Sequence, residues 1–66
     1  MPIQVGDMVT IIWANGEEWP NAKVLNRPRG AGDLWEFKVG GVTYAVNPYT
    51  PRLEYIKCED GSKQFS

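Results

Sequence analysis

The sequence predicts an all-β fold of five short strands. Three observations carry that expectation: apolar residues alternate with a period of two, β-branched and aromatic residues crowd the alternating stretches, and turn residues interrupt them at short intervals. No stretch shows the 3.6-residue apolar period of a helix. At 66 residues the chain holds a single core. A domain so small buries only about 60% of the surface its unfolded chain exposes, so most large apolar residues are needed for packing.

In Met8–Trp13, alternation places Val9, Ile11 and Trp13 on one face, and this is the first strand. Asn15-Gly16 follows, a pair that tolerates positive φ and predicts a type I′ hairpin into a second strand over Glu18–Asn26. Ala22 and Val24 point inward there, while Pro20, which cannot donate to a ladder, belongs at the strand start, on an edge or in a bulge. Residues 27–33, Arg-Pro-Arg-Gly-Ala-Gly-Asp, read as a mobile surface loop. A third strand over Leu34–Val39 meets a fourth over Val42–Asn47 through the tight turn Gly40-Gly41. Residues 47–52 carry two prolines and fit a single 3₁₀ turn, after which Leu53–Lys57 makes the fifth strand. The domain is read as residues 1–58, with 59–66 a frayed polar tail anchored only by Phe65. Five strands with a 3₁₀ turn before the last form the layout of an SH3-like barrel, which curls to limit its exposed edges.

Composition excludes several functions. Histidine is absent, the lone Cys58 has neither a disulfide partner nor a base beside it in sequence, and no glycine-rich loop leads into a helix, so no catalytic residue is expected. No cofactor or metal is expected either, because no set of ligands stands at suitable spacing. The absence of a paired cysteine points to a reducing compartment, and the lack of a signal-like or membrane-spanning apolar run points to a cytoplasmic protein without membrane contact. A net charge of −1 gives no global field for a polyanion. The small size fits a phage-encoded or bacterial accessory protein.

Val5-Gly6-Asp7, Ile12-Trp13, Gly16 and Trp19-Pro20-Asn21-Ala22-Lys23-Val24 resemble the opening half of a Tudor domain. The resemblance covers residues 5–25 and continues by strand count to Ile56; the KOW motifs of other SH3-like barrels begin in a similar way. It implies a Tudor-like barrel in which Trp13 and Trp19 match two walls of an aromatic cage for a methylated lysine or arginine. The turn that supplies the other walls is here only Gly40-Gly41, leaving Tyr44 or Trp35 as substitutes, and Asn21 adds a residue to the aromatic-Pro-Ala spacing.

Trp13, Trp19, Trp35, Tyr44 and Tyr49 exceed what one small barrel encloses, so an aromatic rim for binding is expected, with plugging of the barrel ends as the plainer role. Trp19 leads the group, since Glu18 and Pro20 beside it suggest exposure. Lys23, Arg27, Arg29 and Arg52 are candidate phosphate contacts, or simply solvated charges. The expected partner is a protein or peptide. Nucleic acid held by the basic loop and stacked aromatics is one alternative, and self-assembly through a strand edge is another.

Overall fold

A computed structural model describes residues 3–64, and for Gln64 the backbone only. The chain is all-β, and no helix is present among the described residues. Strand β1 is Met8–Trp13, β2 Glu18–Asn26, β3 Trp35–Val39, β4 Val42–Val46, β5 Leu53–Cys58 and β6 Lys63–Gln64. They form one antiparallel sheet in the order β4-β3-β2-β1-β5-β6. The sheet is not closed by hydrogen bonds, since β4 and β6 occupy its two edges. Its extents are nonetheless nearly equal, 26 × 26 × 25 Å, whereas a flat sheet carrying side chains is only about 10 Å deep. The sheet is therefore strongly curled around its own core.

Bulges supply the curl. Thr10 faces both Pro20 and Asn21, Glu54 is extra opposite β1, and Leu25 is extra opposite β3, as the shifts in strand register show. Each extra residue bends its strand and sharpens the local twist. Asn21 is the one non-glycine among the described residues with positive φ, at 58°. Its short polar side chain makes it one of the few residues that adopt this conformation readily. The residue that breaks the aromatic-Pro-Ala spacing is thus the bulge itself, and Pro20 sits beside it, where a missing N–H costs little.

The inner face holds Val9, Ile11, Ala22, Val24, Trp35, Phe37, Val46, Leu53 and Ile56, joined by Ile3 from the amino-terminal segment. Leu53 and Ile56 are three residues apart and both buried, because the bulge at Glu54 resets the alternation between them. No charged or polar side chain is buried among the described residues, so packing carries the fold.

Several local expectations are corrected. The first hairpin is not type I′: Ala14 and Asn15 keep negative φ, and only Gly16 is positive, at 92°. Gly16 N–H donates to the Trp13 carbonyl at 3.0 Å and Trp13 N–H to that of Glu17 at 3.0 Å, a three-residue loop with its glycine as the closing bulge. The Asn15 side-chain oxygen stabilises it by accepting from Glu17 N–H at 2.9 Å. Gly40 and Gly41 do both take positive φ, at 58° and 82°, and close the tight β3–β4 turn.

The expected 3₁₀ turn is instead a pair of turns: Thr50 N–H donates to Asn47 and Leu53 N–H to Thr50, at 3.1 and 3.2 Å. No 3₁₀ helix forms among the described residues. Leu34 and Asn47 fall just outside their strands, and Cys58 extends β5. Residues 63–64, expected in a frayed tail, pair with Ile56 and Lys57, while Phe65 lies outside the described residues. No described helix is long and apolar enough to cross a membrane.

Candidate functional site

At one end of the curled sheet β1 finishes with Trp13 and β2 begins with Glu18-Trp19. Both indoles are half-buried and pack against the rim of the core. Trp13 and Trp19 meet nearly edge-to-face, with centroids 5.0 Å apart and planes at 66°. Trp19 also packs on Tyr44 at 4.8 Å and 58°. Tyr44 reaches this position because Phe37 on β3 lies between it and Val24 on β2, so all three share the sheet's inner face. Phe37 and Val24 are fully buried, whereas Tyr44, on the edge strand, remains 37% exposed.

The three rings form one row, Trp13–Trp19–Tyr44. Beside it runs an open cleft lined by Trp13, Ala14, Glu17, Trp19, Pro51 and Arg52. Its two walls are tied together by Ala14 N–H, which donates to the Arg52 carbonyl at 2.7 Å. The cleft is mostly apolar, with Glu17 and Arg52 placing opposite charges on its margin. The buried Trp13 indole N–H has no hydrogen-bond acceptor among the described residues.

The other sequence candidates lie elsewhere. Trp35 is 6% exposed and stacks on Phe37, with centroids 5.5 Å apart and planes at 16°, so it belongs to the core and not to the rim. Tyr49 is 79% exposed on the turn after β4, and no ring contact among the described residues joins it to the row. Arg52 alone among the basic candidates borders the cleft. Arg27 donates through Nη1 to the Ile3 carbonyl at 2.8 Å, fixing the amino-terminal segment against the end of β2.

Arg29 is exposed, and its backbone is held by Asp33. The Asp33 carboxylate accepts from the N–H groups of Arg29 and Leu34 at 2.9 and 3.0 Å, and from the Asn26 amide at 3.3 Å. The Arg29 N–H above all, then that of Leu34, holds this carboxyl below the ordinary aspartate range. Lys23 lies on the outer face directly opposite Lys38, and Lys57 stands opposite Lys63 in the same manner. These cross-strand pairs gather all four lysines on strands, an arrangement that only the register reveals. The basic residues therefore form no single patch around the cleft.

No three histidine, cysteine, aspartate or glutamate side chains converge as a metal site among the described residues. Neither protein-family models, nor curated proteins, nor solved structures give a match to this chain.

Proposed function

We propose that the protein is a non-catalytic binding module of the SH3-like, Tudor-like barrel class, which takes a short extended peptide of a partner protein along the row Trp13–Trp19–Tyr44. The single observation that carries this reading is a contiguous row of partly exposed rings beside an apolar cleft, at a place where the core is already filled by Trp35 and Phe37. Aromatic-lined grooves suit peptide segments that are extended before binding, such as proline-containing ones, because little ordering entropy is then lost. Glu17 and Arg52 would orient such a segment by the charges flanking its apolar part.

The geometry argues for a stacking ledge over an enclosing cage. Centroids at 4.8 and 5.0 Å are in direct contact, so no alkylammonium group fits between the rings. A methylated side chain would be limited to the outer ring faces, where an exposed cation–π contact is worth only about 0.5–1 kcal/mol. The loop over residues 27–33 stands at the carboxyl end of β2, whereas Trp19 stands near its start, which leaves that loop a secondary part in recognition.

The test is a titration of isotopically labelled protein with three probes: a proline-rich peptide pool, a trimethyl-lysine peptide pool and oligothymidylate. The proline-rich pool is expected to move the Trp13 and Trp19 indole resonances and the Arg52 amide, with little dependence on salt. Shifts confined to oligothymidylate and to the lysine-bearing strands, weakening steeply as salt rises, would refute the peptide reading.

A further inference from the structure

The two edges of the sheet differ. Strand β6 is two residues long and carries Lys63, so it is a poor template for another strand. Strand β4 is five residues long and carries neither charge nor proline; Val42 to Ala45 are all exposed. From Val39 to Pro51 the chain has no charged residue at all, although 23% of the whole sequence is charged. Among the described residues, none of the devices that guard a free edge is present along β4.

The hairpin turn determines which groups that edge offers. A two-residue turn makes its flanking residues, Val39 and Val42, a hydrogen-bonded pair. Alternation then directs the backbone groups of Val42, Tyr44 and Val46 toward β3 and those of Thr43 and Ala45 away from the sheet. Among the described residues nothing pairs with that outer side.

We propose that β4 is the interface of a two-fold homodimer, in which it pairs antiparallel with β4 of a second copy about Tyr44. In this register Thr43 lies opposite Ala45 of the second copy, and each exchanges both of its free backbone groups. Tyr44 faces its own equivalent at the intervening close pair, and Val42 faces Val46. Registers shifted by two residues oppose only one outward-facing residue of β4 to its equivalent, or reach into Gly41 or Asn47, so they satisfy fewer groups.

The occupant is a second copy because a strand without charge meets itself without like-charge repulsion, and because this contact closes. Pairing β4 with β6 of another molecule would be head-to-tail and open-ended, and would bring Lys63 onto an apolar edge. The β4 pairing also joins the two ring rows into one, with Tyr44 of each chain at the centre. It does not depend on what those rings bind.

Sedimentation and light scattering over a concentration series test this. The expected mass rises from 7.4 kDa toward twice that value. Ala45→Pro removes an outward N–H that β3 does not use, and should weaken dimerisation by at least about tenfold while leaving the amide spectrum dispersed. Should Ala45→Pro fail to fold, Thr43→Lys serves the same purpose by adding a charge at the edge. Register is read in a Cys58→Ser background: Tyr44→Cys should cross-link to itself on mild oxidation, and Glu54→Cys should not. A monomer at every concentration, growth into open filaments, or a dimer indifferent to both edge substitutions would overturn the proposal.

Discussion

Two tryptophans of similar appearance in the sequence have different roles, and their burial separates them. Trp35 is buried against Phe37, so Trp35→Ala should cost about 3–5 kcal/mol. Total stability for 66 residues is roughly 3–10 kcal/mol, so that loss removes a large share of it. Trp19 is half-buried, and its replacement by alanine removes the contacts with Trp13 and Tyr44. A loss of about 1–3 kcal/mol with the fold retained is expected, measured by urea unfolding of both variants. Equal losses would place Trp19 in the core and remove the basis for a binding row.

Asp33 provides a second test at the same scale. Because its folded pKa is depressed, its stabilisation of the 27–33 loop is complete above the unfolded value, about 3.9, and is lost as pH falls through the folded value. Amide exchange of Arg29 and Leu34 should therefore quicken on acidification below that range, beyond what intrinsic exchange explains. In Asp33→Asn the two amides should be equally labile on either side of it. The loop read from sequence as mobile is thus tied by three hydrogen bonds to the Asp33 carboxylate, one from Asn26 to the Leu34 carbonyl and one from Asp33 N–H to the Gly30 carbonyl.

Among the elements, β2 is the one whose register matters most, since it pairs with both β1 and β3 and carries two bulges. The bulge at Pro20-Asn21 keeps Trp19 opposite Ile11 while Ala22 stays opposite Val9. Unbulged pairing of the same residues would put Pro20 opposite Ile11 and turn Trp19 to the other face. Asn21→Val forces a β-branched residue to a φ of 58° and should cost about 1–3 kcal/mol, whereas Asn21→Gly should be close to neutral. Thermal melts of the two variants decide it. A neutral Asn21→Val would mean that the bulge is not the strained feature its backbone suggests. Strand limits such as Met8–Trp13 and Glu18–Asn26 were legible because alternation and turn residues are local signals.

For the whole molecule, stability is expected to come from packing alone. Cys58 is a free thiol and no described cluster could hold a metal, so Cys58→Ser and chelator treatment should each leave Tm nearly unchanged. A large fall with chelator would reveal a metal site involving residues beyond those described. The core itself is fed by every strand from β1 to β5, so loss of one large inward residue is felt across the sheet.

The sequence by itself determined the class, the first two strand limits, the Gly40-Gly41 turn, and the inward placement of Ala22 and Val24. These are written in period-two alternation and in turn chemistry, both of which act over a few residues. Only the tertiary structure decided that Tyr44 joins the row and Trp35 leaves it, that Arg27 is occupied with Ile3, and that Lys23 stands opposite Lys38. It also decided that β4 is an open edge. The physical reason is that a strand's period shows which residues share a face but not which face is buried, nor which residue of a distant strand lies across from it. Bulges and curvature set those relations, and each depends on how the whole sheet closes over its core.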